Sequence, residues 1–196
     1  TITVTVGSIN DAPTLDTIAD VTVDEDSGEL VVSVTGISAG GGDDEAAQTV
    51  TLTATVSDAT VVPTPTVTQT GAIADIMLTP QPDASGVVTV TVTATDSGDA
   101  VAPNVNIFSA DFTLTVTSVN DAPVADAPAD TYVATEGNPV DITLTGSDVD
   151  TPAISFGLWD GEAAVDTLTT ANAGIVTLTD ADSADNTATA TYTPPT

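Results

Sequence analysis

A six-residue motif occurs twice in this chain, and its two copies lie 110 residues apart. Residues 8–13 read Ser-Ile-Asn-Asp-Ala-Pro, and residues 118–123 read Ser-Val-Asn-Asp-Ala-Pro. Each copy follows a run in which Thr alternates with apolar residues, at residues 1–6 and 112–116. A repeat of about 100 residues has the length of one β-sandwich domain, so the sequence predicts a segment of a tandem array.

Alternation of Thr with apolar residues continues through most of the chain. A strand with this pattern has one apolar face and one Thr-bearing face that suits solvent. Clusters of Gly, Pro, Asp and Asn separate the runs, which is typical of an all-β sandwich. In the first unit the pattern predicts seven strands, near residues 21–23, 29–34, 49–56, 64–70, 73–79, 87–95 and 109–117. In the second unit it predicts strands near residues 132–134, 140–145, 154–158, 175–179 and 188–193.

The ends of the sequence are out of phase with the repeat. Residues 1–10 are predicted to be the last strand of a preceding unit or a donated strand, and residues 11–121 a complete repeat. Residues 122–196 are predicted to be a second repeat that lacks its final strands. An incomplete sandwich exposes an apolar edge. Either the polypeptide is longer, which we favour, or neighbouring subunits donate the missing strands.

Charge is the second constraint on this chain. The sequence holds 29 Asp and Glu residues and no Lys, Arg or His, which gives a formal net charge of −29. Side-chain salt bridges are therefore impossible, and self-repulsion opposes compaction unless dissolved or bound cations supply positive charge. A hydrophobic content of 41% is too high for a disordered acidic tail. We therefore expect a folded protein that is loaded with cations.

The missing residue types exclude most enzyme classes. Without His, Lys or Cys, the chain cannot form a Ser-His-Asp triad, a thiol nucleophile, a Schiff base or a conventional zinc site. Without Lys and Arg, the chain has no cationic clamps for phosphate, which argues against nucleotide and nucleic-acid binding. We therefore predict that the chain is not an enzyme and that it does not bind nucleic acid. Because the sequence has no apolar span of transmembrane length, we also predict no membrane insertion in this segment.

Two further motifs follow the second linker motif in a fixed order. Val-Asn-Asp-Ala-Pro at residues 119–123 is followed by Glu-Gly at 136–137 and by Gly-Ser-Asp-Val-Asp at 146–150. This order resembles the cadherin-like and immunoglobulin-like tandem repeats of large bacterial adhesins, including the repeats-in-toxin type. The resemblance implies Greek-key β-sandwiches placed end to end, an extracellular or cell-surface location, and calcium (Ca2+) at the linkers, often in adhesion or biofilm roles.

The resemblance also implies which residues hold calcium, an ion that prefers hard oxygen ligands. Between the two units it implies Glu25, Asp96, Asn120, Asp121, Asp148 and Asp150, with Asp99 as a weaker candidate. At an equivalent junction before the first unit it implies Asn10, Asp11, Asp43, Asp44 and Glu45. After the second unit, Glu136 matches Glu25. The linker is less acidic than that of cadherins, so we expect one or two ions per junction. The alternative for each Asn-Asp motif is an ordinary turn.

These features favour a structural or adhesive segment of a prokaryotic extracellular fibre or cell-surface adhesin. Its predicted partners are neighbouring repeats of the same chain or identical subunits, together with a surface receptor or glycan. Alternatives are a filament subunit completed by strand donation, a carbohydrate-binding module built around Trp159, and a spacer domain of a secreted enzyme.

Overall fold

The computed structural model describes residues 2–5, 7–126, 131–160, 162–165, 167–170, 174–179 and 186–195. The chain divides into two compact units, Thr1–Val119 and Asn120–Thr196. The boundary therefore falls just before the second Asn-Asp motif, and residues 1–10 group with the first unit. No described helix is long and apolar enough to cross a membrane.

The first unit is a sandwich of two β-sheets. Its strands are β1 (Val21–Asp24), β2 (Leu30–Val34), β3 (Val50–Val56), β4 (Thr66–Thr70), β5 (Ile73–Leu78), β6 (Gly86–Asp96) and β7 (Ile107–Thr117). One sheet has the order β1-β7-β6-β3 and the other has the order β2-β5-β4. Strand β1 pairs with β7 in parallel, and the other neighbours are antiparallel. This is the arrangement of an immunoglobulin-like sandwich, so the predicted fold class is confirmed.

The core of the first unit follows from the alternation in its strands. Successive side chains of a strand point to opposite faces, so every second residue enters the space between the sheets. Completely buried side chains come from both sheets, among them Ile76, Leu78, Val90 and Leu114. The opposite face of the larger sheet carries Thr in register across strands, for example Thr53 beside Thr93. Apolar burial supplies the main stabilising free energy, while Thr satisfies the solvated face.

A glutamine side chain ties the open edges of the two sheets together. Strands β3 and β4 lie at the edges of their respective sheets. The Gln69 side chain accepts a hydrogen bond from the Leu52 N–H (3.2 Å) and donates one to the Val50 carbonyl (2.9 Å). It thereby satisfies backbone groups of β3 that a further strand would otherwise have paired with.

We expect Gln69→Ala to lower the free energy of unfolding of the first unit by about 1–2 kcal/mol, because two hydrogen bonds to β3 are lost. The control is Gln81→Ala, which truncates an exposed glutamine and should cost less than about 0.5 kcal/mol. Urea unfolding followed by circular dichroism measures both. Equal effects would show that Gln69 does not stabilise the edge.

The second unit is built around an antiparallel sheet. Its strands are β8 (Val124–Ala125), β9 (Val140–Ser147), β10 (Leu158–Trp159), β11 (Ala164–Val165), β12 (Thr167–Thr169), β13 (Ile175–Thr179) and β14 (Thr187–Thr193). The sheet has the order β12-β13-β14-β9-β8, and β10 pairs with β11 separately. The pairing of β9 with β14 corresponds to that of β2 with β5 in the first unit.

Two strands predicted for the second unit are not present as predicted. Residues 132–134 form no strand, and only Leu158 of residues 154–158 lies in one. In the first unit, β1 pairs with β7. The described part of the second unit holds no equivalent of β7, so residues 132–134 have no strand to pair with. Sequence alternation alone does not supply that partner.

The 110-residue repeat is also visible in side-chain geometry. In the first unit the Asp16 N–H donates to the Thr35 carbonyl (2.8 Å), and the Thr35 hydroxyl donates to the Asp16 carboxylate (2.7 Å). In the second unit Asp126 and Thr145 make the same two bonds, at 2.9 Å and 2.8 Å. Both residue pairs are offset by the repeat length, so the two units share their early strand geometry.

Candidate metal centre

Four polar or charged side chains are buried in the part of the chain that the structure describes, and they are Asn10, Glu25, Glu45 and Asp96. Burying a carboxylate is costly unless it is paired or binds a cation. Because the sequence contains no Lys, Arg or His, none of the three carboxylates has a cationic side-chain partner. The burial of these four side chains therefore needs a physical explanation.

Asn10 fixes the first linker motif to its own unit. Its side-chain amide N–H groups donate to the Val105 carbonyl (2.7 Å) and to the Asp96 carboxylate (3.2 Å). Its side-chain oxygen accepts a hydrogen bond from the Gln48 amide (2.6 Å). Its backbone N–H donates to the Asn104 side chain (2.8 Å). The motif is therefore more than an exposed turn here, since it joins the β6–β7 loop to the β2–β3 loop.

The position of Asp96 depends on the strand that ends with it and on the glycine that follows. Strand β6 ends at Asp96, whose carboxylate also accepts the Gly98 N–H (2.8 Å). A Cβ atom at position 98 would collide with the Asn10 side chain. Glycine is therefore required at this close approach.

Glu45 is the buried carboxylate with an unused oxygen. Its side chain is 4% exposed, and its Oε1 atom accepts the backbone N–H of Asp11 (3.2 Å). Its Oε2 atom is buried and has no hydrogen-bond partner among the described residues. The side-chain oxygen of Gln48 is in the same condition. Unpaired buried oxygens of this kind need a cation or a water molecule as a partner.

Both residues line one cavity of about 240 Å³ at this end of the first unit. The lining consists of Ser8, Asn10, Asp44, Glu45, Gln48, Asp99 and Asn104. All seven side chains carry oxygen, and three of them are carboxylates. This donor set fits calcium, which takes six to eight oxygen ligands from carboxylates, amides and water. We call this cavity the Asn10 cavity.

The remaining candidates of the first group are more exposed. Asp43, Asp44 and Asp11 are exposed. Asp44 lines the Asn10 cavity, whereas Asp43 does not. The acidic loop therefore contributes through Asp44 and Glu45.

Asp96 does not lie with Glu25, contrary to the sequence prediction. Glu25 follows β1 and accepts the Val119 N–H through Oε1 (2.8 Å) at the end of the unit where β7 finishes. Asp96 lies at the opposite end of the larger sheet, ten residues along β6 from Gly86, which pairs with Val116. Ten residues of strand span roughly 33 Å. Asp96 therefore belongs with Asn10.

Glu25 is itself 3% exposed and lies in a 3-10 turn formed by Glu25–Ser27. The turn ends at Gly28, whose φ of 83° favours glycine. The hydrogen bond to Val119 ties the start of the unit to its last residues. Glu136, its counterpart by sequence, is exposed in the second unit. The described residues there contain no equivalent of the end of β7 to hold it.

The second linker motif repeats part of the first. The Asp121 N–H donates to the Asp150 carboxylate (2.6 Å), as that of Asp11 does to Glu45. The Asn120 side chain donates to the Asp121 carbonyl (2.8 Å), as that of Asn10 does to Asp11 (3.3 Å). Asn120 is exposed, however. The two motifs therefore share their local geometry but differ in burial.

Asp148 shapes the loop that carries Asp150. Its carboxylate accepts the backbone N–H groups of Asp150 (2.9 Å) and Thr151 (2.8 Å). This is a turn stabilised by an aspartate side chain. It positions the Asp150 side chain toward the linker of the same unit.

Two carboxyl groups with lowered pKa values lie in turns elsewhere. The Thr60 hydroxyl and N–H lower the pKa of Asp58, and the N–H groups of Ala163 and Glu162 lower the pKa of Asp160. Both carboxylates are exposed. Their shifts reflect turn capping and do not mark a binding site.

Gln48 and Asn104 were not identified from the sequence. Nothing in their immediate sequence distinguishes them from other polar loop residues. For Asp96 a signal did exist. Because antiparallel strands alternate in direction, the β6–β7 loop lies at the same end as the β2–β3 loop. The predicted carbohydrate site at Trp159 lies outside the described side chains.

Comparison with known proteins yields structural likenesses. No family model and no curated protein sequence matches the chain. The titin domains Z1Z2 in complex with telethonin are 12% identical, with a TM-score of 0.39 over 91% of this chain and 80% of that one. The titin immunoglobulin tandem A164–A165 is 11% identical, with a TM-score of 0.32 over 94% and 82%. The Yersinia pseudotuberculosis adhesin InvE is 16% identical, with a TM-score of 0.33 over 93% and 51%.

Proposed function

We propose that this chain is a structural or adhesive segment of a prokaryotic extracellular fibre or cell-surface adhesin, and that calcium stiffens it at its linkers. The observation that carries the proposal is the set of four buried polar side chains. All four lie at the two ends of the first unit, where linkers enter and leave, and none has a cationic side-chain partner.

The linkers supply the second support. In both units the backbone N–H of the linker aspartate is held by an acidic side chain from a loop of the same unit, Glu45 in one and Asp150 in the other. Bound calcium would supply positive charge to carboxylates that otherwise repel one another. Asn10 and Glu45 already fix the path of the first linker through their hydrogen bonds.

For the junction between the two units, the proposal rests on the sequence resemblance. It assigns Glu25 from the first unit and Asn120, Asp121, Asp148 and Asp150 from the second as oxygen ligands of calcium. Glu136 is assigned to a junction that follows the second unit. The predicted partners are further repeats or identical subunits, which the same linkers would hold at a fixed angle.

Calcium titration of the two-unit chain tests the proposal. We expect saturable binding of a few ions, a higher Tm, and a longer, stiffer particle by small-angle scattering. At about 100-fold excess over Kd, each site adds roughly 2.7 kcal/mol of stability. That corresponds to a Tm increase of several degrees.

Magnesium and sodium at matched ionic strength are the controls, because a net charge of −29 responds to any screening ion. Equal stabilisation by all three ions would overturn the proposal. So would calcium binding that leaves the scattering profile unchanged.

A further inference from the structure

We infer that the Asn10 cavity is a divalent-cation site that the first unit completes by itself, with Glu45 Oε2 and the Gln48 side-chain oxygen as direct ligands. The inference deepens the proposed function and rests on it for the choice of calcium. The inferred site differs from the proposed linker sites because all of its ligands come from the first unit. The linker sites proposed above, by contrast, draw ligands from both sides of a junction.

The first argument is the charge of Glu45. The Glu45 side chain is only 4% exposed. Its Oε1 atom accepts the Asp11 N–H, whereas its Oε2 atom has no hydrogen-bond partner among the described residues. A buried charge without a partner is strongly unfavourable. The sequence offers no Lys, Arg or His to neutralise it. A cation from solution is the remaining counter-charge, and the cavity beside Glu45 has room for one with its water ligands.

The second argument is the orientation of Gln48, which a chain of hydrogen bonds fixes. The Asn10 amide N–H groups face two acceptors, the Val105 carbonyl and the Asp96 carboxylate. The Asn10 oxygen must therefore face Gln48, which in turn must donate its N–H (2.6 Å). The Gln48 oxygen is consequently left over, buried and without a partner among the described residues. Exchanging the amide atoms of either residue would place donors against donors or acceptors against acceptors.

The two unpaired oxygens thus belong to two residues, Glu45 and Gln48, that both line the Asn10 cavity, and both oxygens are acceptors. Exposed Asp44 and Asp99 line the same cavity, as do Asn104 and Ser8. Three carboxylates and no cationic side chain line this cavity, which suits a hard cation better than an anion or an apolar ligand. Since Oε1 of Glu45 accepts the Asp11 N–H, a cation bound at Oε2 would also fasten the linker to its unit.

Glu45→Gln in the full chain tests the inference. The variant is isosteric and keeps an oxygen that can accept the Asp11 N–H, but it removes the buried charge and puts an N–H group where an acceptor oxygen stood. In chelator, we expect its Tm to be equal to or above that of the original chain. In calcium, we expect the order to reverse. Isothermal titration calorimetry at 150 mM NaCl should show the loss of one calcium equivalent or a large increase in Kd. The increase should exceed the roughly 10- to 100-fold that is typical when a residue hydrogen-bonded to a metal ligand is replaced.

Asp83→Asn is the matched control, because it removes one charge from an exposed loop residue of the same unit. Its φ of 59° is one that Asn tolerates. This variant should retain every calcium equivalent. Terbium luminescence provides a second readout of occupancy.

The outcomes separate this inference from the proposed function. Unchanged calcium binding in Glu45→Gln, with stiffening intact, would overturn the inference alone and indicate water in the cavity. Loss of one equivalent in Glu45→Gln, without stiffening of the original chain by calcium, would support the inference and overturn the proposed function. An original chain that binds no calcium would overturn both.

Discussion

Ile76→Ala should lower the free energy of unfolding of the first unit by about 2–5 kcal/mol, because it leaves a cavity in a packed core. Ile76 is completely buried on β5. The control lies on the same strand, since Ile73 is 52% exposed. Ile73→Ala should cost less than about 1 kcal/mol. A unit of this size has roughly 5–15 kcal/mol of total stability, so the first variant removes a large share.

Hydrogen exchange of β6 and β7 amides measures this change in the first unit specifically. Tryptophan fluorescence would not, because the one Trp of the sequence, Trp159, belongs to the second unit. Similar losses in both variants would contradict the burial pattern of β5. A fluorescence transition shifted as strongly as the exchange would show that the two units do not unfold independently.

Asn10→Ala should cost about 2–4 kcal/mol in the first unit. The substitution removes the donors to Val105 and Asp96 and the acceptor for Gln48. Each buried group left unsatisfied costs about 1–3 kcal/mol, and more where it is charged. The Asp96 carboxylate is 4% exposed, so water replaces the lost donor poorly.

Asn120→Ala is the natural comparison, because Asn120 occupies the same position of the repeated motif. It is exposed and donates to the neighbouring Asp121 carbonyl. We expect a loss below about 0.5 kcal/mol, measured by urea unfolding in chelator so that bound ions do not contribute. If the two substitutions cost the same, the motif would act as a local turn in both units and Asn10 would have no special role.

The strands of the first unit could be predicted because their signal is local. Alternation at a period of two residues marks where a strand runs and which side chains face inward. The seven strands observed there overlap the seven predicted segments, with shifts of at most two residues at their ends. In the second unit the strand prediction failed at residues 132–134, where Tyr-Val-Ala has no partner strand among the described residues.

The candidate site was predicted in its residue types but not in its grouping. Asn10 and Glu45 were both named, yet Asp96 was assigned to the opposite end of the unit, and Gln48 was missed. Loop residues that lie far apart in sequence are brought together by strand direction, and antiparallel pairing of β6 with β3 and β7 sends Asp96 toward Asn10. Following the alternation of strand direction along the chain would have placed Asp96 at the correct end of the unit. The same reasoning does not distinguish Gln48 from the other polar residues of its loop.

The sequence by itself determined that this protein is a repeated β-sandwich whose carboxylates lack cationic side-chain partners, since repeat length, alternation and composition are properties of the chain alone. The tertiary structure decided which oxygens are buried and left unpaired. Burial depends on how loops pack over the end of a closed sandwich, and the loops around Asn10 and Asn120 pack differently although their motifs are nearly the same. That difference makes Glu45 and Gln48 a candidate ligand pair.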